Sequence, residues 1–142
     1  MEHWIDQERA LVLNSEWHQR GDVFVRLPPH QTSADAADMA SNRASSGGFW
    51  ARIEVEPTGN VRISGDRIAS IPVFYFVSKS LLVIGDNAAA VARRASVSDV
   101  ISEEAILEYV HAGYVQGSGT IFKQVHVREA GQTLYFTKTS GG

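Results

Sequence analysis

From Phe49 to Glu56 the chain alternates. Phe49, Ala51, Ile53 and Val55 fall on one side, and Trp50, Arg52, Glu54 and Glu56 on the other. A period of two is that of a strand with one buried face. Pro57-Thr58-Gly59-Asn60 supplies turn chemistry, the proline by fixing φ and the glycine by reaching positive φ. Val61 and Ile63 then resume the pattern, so the spacing predicts a β-hairpin over residues 49–64. A second hairpin is predicted from Pro72 to Val77, a Ser78-Lys79-Ser80 turn, and Leu81 to Gly85. Both of its arms are continuously apolar, which predicts strands covered on both faces.

Shorter signals flank these hairpins. Residues 9–13 (RALVL) and 22–27 (DVFVRL) read as strands, the second ended by Pro28-Pro29. Residues 33–44 are Ala-rich behind Ser33, an N-cap residue, and read as a helix; Ser45 to Gly48 reads as a loop. Residues 87–95 predict a short helix capped by Asp86. A longer helix starts at Ser102, with Glu103 and Glu104 in the turn where the macrodipole favours acids. Ala105, Ile106, Tyr109 and Val110 give it one apolar face, and Gly113 ends it. TIFKQVHV (120–127), an Ala130-Gly131 turn and QTLYF (132–136) read as closing strands. Antiparallel hairpins with segregated helices predict an α+β layered fold.

The chain has 142 residues, which predicts a single domain over 1–138 followed by a flexible tail at 139–142. A net charge of −3 argues against a nucleic-acid partner. There is no cysteine, so disulfides, thiolate metal sites and cysteine nucleophiles are excluded together. No apolar run approaches the ~20 residues that span a bilayer, and the acidic start, MEHWIDQERA, lacks the apolar core of a signal peptide. The expectation is a cytoplasmic protein with no membrane partner. The five histidines are scattered, without metal-ligand spacing. The glycines of QGSGT (116–120) lack the lysine of a phosphate loop. Asp66-Arg67, ahead of Pro72 and the apolar run Val73-Phe74-Tyr75-Phe76, predicts an ion pair or a set of hydrogen-bonding groups that fix the turn between the two hairpins.

The order of these segments resembles a known family. GFWARI, GNVRISGDRIASIPVFYF, LLVIGDN and SEEAILEYVHAGYVQGSGTIFKQVHVREAGQTLYF are similar to the back part of the N-terminal domain of asparagine synthetase-type enzymes. That family's pattern is a Gly-Phe-Ala strand, an Asp-Arg-x-Gly-x-x-Pro-Leu-Tyr-Tyr segment, a hairpin, a helix, a Gly-Tyr turn, Thr-Leu-Phe and a Pro-Gly turn. Here the matching positions are Gly48-Phe49, Asp66 to Tyr75, Leu81 to Asp86, Ser102 to His111, Gly113-Tyr114, Thr120-Ile121-Phe122 and Ala130-Gly131. The resemblance covers about residues 48–136, and shared order carries it more than any single motif.

The resemblance implies a class II glutamine amidotransferase, an Ntn-hydrolase-like αββα sandwich of antiparallel sheets, here shortened at the N-terminus. In that family an N-terminal cysteine hydrolyses glutamine, and the ammonia passes to an adenylating synthetase domain that uses ATP and Mg. Here position 2 is Glu2, which is also too large for efficient removal of Met1. The required nucleophile with a free terminal amine is therefore missing. The family's Asn-Gly-Glu substrate motif has at best a remnant in Asn14 and Glu16, with Ser15 in place of the glycine. Asn14 and Glu16 are thus the candidate ligand contacts, no residue is assigned a catalytic role, and Asp66, Arg67, Pro72 and Tyr75 are the structural signature.

The expected function is a degenerate, non-catalytic glutaminase-like domain. It would serve as the docking platform of an asparagine synthetase-like amide-forming enzyme, in the style of β-lactam synthetases and lasso-peptide macrolactam cyclases. No cofactor is expected in this chain; ATP and Mg are implied for a synthetase domain that follows it or is a separate chain, and a homodimer is compatible with either arrangement. The alternative is a stand-alone small-molecule-binding or interaction module without a synthetase partner. An exposed apolar patch on a helix favours the platform, and a closed polar cleft favours the module.

Overall fold

The computed structural model describes residues 2–6, 9–27, 49–115 and 117–137. The helix expected at 33–44, the loop at 45–48 and the tail at 139–142 lie outside these residues. The described residues form a mixed α and β fold with two five-stranded sheets. The chain forms two compact units, Met1–Asn14 with Pro72–Glu129, and Ser15–Ile71 with Ala130–Gly142.

The first unit holds β1 (Glu2–Asp6), β2 (Arg9–Val12), β7 (Phe74–Val77), β8 (Leu82–Gly85) and β9 (His126–Val127) in the order β1-β2-β8-β7-β9. The β7–β8 hairpin forms at the predicted place, its turn tied by the Ser78 hydroxyl, which accepts from the Leu81 N–H at 3.1 Å. Every residue of β8 is buried, as its unbroken apolar run predicts, but β7 is covered less completely and Val77 is exposed. The expectation of purely antiparallel sheets is corrected: β2 and β8 pair in parallel, Arg9 opposite Leu82 through Val12 opposite Gly85. Local hairpin signals cannot report a pairing between strands so far apart in sequence.

Helix α1 (Ala88–Arg94) covers this sheet. Val91, Ala92 and Val97 join Phe76, Val83 and Val125 in a core flanked by Val12, Phe74, Leu81 and Phe122. The approach is close enough to require glycine at position 85, where a Cβ would stand 2.7 Å from the Val12 carbonyl oxygen and 2.8 Å from a Val91 methyl. The N-cap is Asn87 rather than the expected Asp86; its side chain accepts from the Ala90 N–H at 3.1 Å. Asp86 is engaged elsewhere, accepting from the Asn14 N–H at 3.0 Å, because the parallel pairing brings the ends of β2 and β8 side by side.

Helix α2 (Glu103–Ala112) has the predicted caps, Ser102 accepting from the Ala105 N–H and Gly113 at φ 81°. Its predicted apolar face does not cover a core: only Ala105 is buried, while Ile106, Tyr109 and Val110 are exposed. The strand expected over 120–127 is reduced to β9. The Thr120 hydroxyl lies 2.9 Å and 2.7 Å from the Phe122 and Val125 carbonyl oxygens and folds the segment into a turn that buries Val125. A local hydroxyl-to-backbone turn competes with extended pairing.

The second unit holds β3 (His18–Arg20), β4 (Val23–Arg26), β5 (Ala51–Val55), β6 (Val61–Gly65) and β10 (Leu134–Phe136) in the order β10-β6-β5-β4-β3, all antiparallel. The predicted β5–β6 hairpin is present, with Ile53 opposite Ile63 and both fully buried. Its alternation is corrected at the start. Phe49 is 52% exposed, whereas Trp50 and Arg52 are buried, so β5 begins covered on both faces. Trp50 packs with Val25, Leu27 and Val23, and Arg52 pairs with Glu54 at 3.0 Å.

Candidate functional site

A dense polar arrangement in the second unit is built on Asp66. Strand β6 delivers it just beyond the last ladder pair, Ala51 opposite Gly65. Its own N–H donates to the Trp50 carbonyl at 3.1 Å, and its Oδ2 accepts from the Trp50 N–H at 3.0 Å. This reciprocal pair extends the hairpin by one step through a side chain. Oδ1 accepts from the N–H groups of Ile68 and Ser70, each at 3.1 Å, and Oδ2 also accepts from the Ser70 hydroxyl. The carboxylate thus gathers backbone on both sides of the turn.

The bonding has an electrostatic consequence. Burial alone would push the Asp66 carboxyl up. The bonds from the Ser70 hydroxyl and N–H and from the Trp50 and Ile68 N–H groups outweigh it and hold the group below the usual carboxylate range. A carboxylate kept ionised by this many donors orders backbone and makes a poor proton acceptor. Within the turn Ala69 adopts φ 51°, the left-handed region. An L-residue pays about 1–2 kcal/mol there because its Cβ crowds the following carbonyl. Arg67 is exposed beside this turn.

The remaining candidates are dispersed. In the first unit, Pro72 is exposed ahead of β7, where the Val73 carbonyl accepts from the Arg128 N–H at 2.9 Å. Tyr75 sits opposite His126 across the β7–β9 ladder, ring centroids 5.6 Å apart and tilted by 35°. Burial, and secondarily the charge of Glu129, push its phenol above the ordinary tyrosine range. Asn14 is exposed and engages Asp86 through its backbone. In the second unit, Glu16 is exposed and ion-paired with Arg26.

A second network lay outside the sequence reading. The Tyr135 hydroxyl donates to Glu56 at 2.8 Å and accepts from the Asn60 side chain at 2.9 Å. Arg62 pairs with Glu56 at 3.2 Å and lies 5.4 Å from the centre of the Tyr135 ring. It pins β10 to the β5–β6 turn. Position 135 opposite position 62 is a pairing that only the sheet register reveals. Ser70, by contrast, had a readable signal: a hydroxyl four residues after Asp66 suits a closed turn.

In each network a hydroxyl donates to a carboxylate, Ser70 to Asp66 and Tyr135 to Glu56, and the lowered pKa of Asp66 makes it a weak base toward Ser70. Among the described residues no group of three or more histidines, aspartates or glutamates is placed to hold a metal ion, and no helix is long and apolar enough to cross a membrane. No family model, curated protein or solved structure matches the chain.

Proposed function

We propose that this chain is a glutaminase-like domain without glutaminase activity, serving as the docking platform of an ATP-dependent, asparagine synthetase-like amide-forming enzyme. The observation that carries the reading is the conformation of Ala69. In the Asp-Arg-x-Gly-x-x-Pro pattern this position is glycine, and here an alanine takes φ 51° in a turn closed by the aspartate of the same pattern. A backbone that demands a glycine-like residue where the pattern has one supports descent from that pattern, because β-carbons disfavour the conformation wherever it is not imposed.

The lack of cysteine removes the thiolate on which the family's glutamine hydrolysis depends. The apolar residues left exposed on α2 suit a domain that works by contact. In this reading ATP and Mg belong to the synthetase domain, and no residue of this chain takes a step in that chemistry.

The test begins with the native reading frame and its neighbours, sought for a domain carrying Ser-Gly-Gly-x-Asp-Ser. That domain is expressed with and without residues 1–142, and pyrophosphate release from ATP is followed. The expected result is a synthetase that needs this domain for activity or solubility, with no glutamate released from glutamine. A frame and neighbourhood lacking such a domain overturns the platform; sustained glutamate release overturns the non-catalytic assignment.

A further inference from the structure

Helix α1 ends on a serine in a place that favours glycine. Ser96 has φ 58°, the left-handed region. Its N–H donates to the Arg93 carbonyl at 3.1 Å, and the Val97 N–H donates to the Ala92 carbonyl at 2.9 Å. This pair of bonds is a Schellman closure, with Ser96 just past the cap residue Ala95. Helix α2 closes with Gly113 at φ 81°, and a residue with a β-carbon is strained there where glycine is not. The Ser96 hydroxyl does nothing for the fold: the residue is exposed, and among the described residues its side chain has no hydrogen-bond partner. Ahead of it stand Arg93, exposed, and Arg94, half-buried; after it Val97 is buried in the core of the first unit. Arginines in a last turn suit the helix dipole on their own account, but the dipole asks for no serine.

We propose that Ser96 is a phosphorylation site, the substrate of an arginine-directed serine kinase that uses Mg-ATP. Arg93-Arg94-Ala95-Ser96-Val97 sets two cations three and two residues before the hydroxyl and an aliphatic residue after it. An acidic substrate groove reads such arginines by charge-assisted pairing. In the transfer the Ser96 Oγ bonds to the γ-phosphorus of ATP and the bond from that phosphorus to the β–γ bridging oxygen breaks. ADP leaves with the electron pair, and the hydroxyl proton passes to the kinase's base. A kinase groove takes its substrate extended, so the closure opens first. Two backbone bonds and the Val97 side chain hold it, at the fraying end of a helix of seven residues. The phosphoserine carries about −1.5 to −2 charge beside the negative end of the helix dipole, with Arg93 one turn away as its counter-ion. The basic helix end thereby becomes close to neutral.

The folded full chain is incubated with Mg-ATP and, as the probe, the catalytic subunit of cyclic-AMP-dependent protein kinase. Phosphate is located by intact-mass and fragment mass spectrometry, beside an unfolded peptide of residues 90–99. The expected result is phosphate on Ser96 of the folded chain, absent in Ser96→Ala, with the initial rate at least about tenfold lower in Arg93→Ala, the equivalent of one charge-assisted contact. Ser96→Gly should melt higher than the wild type, because the residue is there for its hydroxyl and not for the fold. Phosphate on the peptide but not on the folded chain, phosphate on Ser98 in place of Ser96, a rate indifferent to Arg93→Ala, or a Ser96→Gly chain that melts lower overturns the proposal.

Discussion

Removing the Asp66 carboxylate should cost the fold about 4 kcal/mol. In Asp66→Ala four donors lose their acceptor: the N–H groups of Trp50, Ile68 and Ser70 and the Ser70 hydroxyl. Ile68 and Ser70 are exposed, so water replaces the lost partner and each of their three bonds contributes roughly 0.5–1 kcal/mol. Trp50 is buried, and its N–H, left without an acceptor, adds about 1–3 kcal/mol. Asp66→Asn keeps one accepting oxygen and should cost about 2 kcal/mol.

The assay is urea unfolding followed by tryptophan fluorescence. The midpoint should fall without a change in slope. The pH dependence has a definite sign. The folded-state pKa of Asp66 is lowered, so its stabilisation is complete above the unfolded value of about 3.9 and is lost as pH falls through the folded value. The gap between wild type and Asp66→Asn should therefore be full at pH 7 and close in strong acid. A loss below about 1 kcal/mol in Asp66→Ala, less than one buried orphan donor costs, would refute the role assigned to this carboxylate.

Three further outcomes are expected. Ala69→Gly should raise the melting temperature, because relief of about 1–2 kcal/mol of left-handed strain exceeds the roughly 0.4–1 kcal/mol of added unfolded-state entropy; Ala69→Val should lower it. Gly85→Ala should destabilise by about 2 kcal/mol or more in thermal unfolding, since its Cβ meets backbone as well as a side chain; adding Val91→Ala should restore only part of the loss, because the Val12 carbonyl remains. Absorbance titration of the tyrosines should show one component above the usual range that disappears in Tyr75→Phe; as the folded-state pKa is raised, the stabilisation linked to neutral Tyr75 is present below about pH 10 and lost as pH rises further.

Legibility in the sequence followed contact distance along the chain. The two hairpins, the strands at 9–12 and 23–26, and both short helices declare themselves through periodicity and turn residues within a dozen positions. Strands β1 and β3 do not: β1 mixes charged with apolar residues, and His-Gln-Arg has no apolar face, so each takes its place through its neighbour's backbone. Asp86 and Asn87 are equally good caps by type, and the choice between them is made by Asn14, distant in sequence but adjacent across a parallel pair.

The sequence by itself determined most of the local elements, a turn-fixing role for the Asp66-Arg67 pair, and the absence of a cysteine nucleophile. These depend on residue type and on neighbours a few positions away. Only the tertiary structure decided that β2 runs parallel to β8, that Trp50 turns inward while Phe49 turns out, that Tyr135 meets Glu56, and that α2 leaves its apolar row uncovered. Each of these is a contact, or a missing contact, between segments far apart in sequence. Hydrophobic pattern states that a face is to be buried, and the packed chain alone states against what.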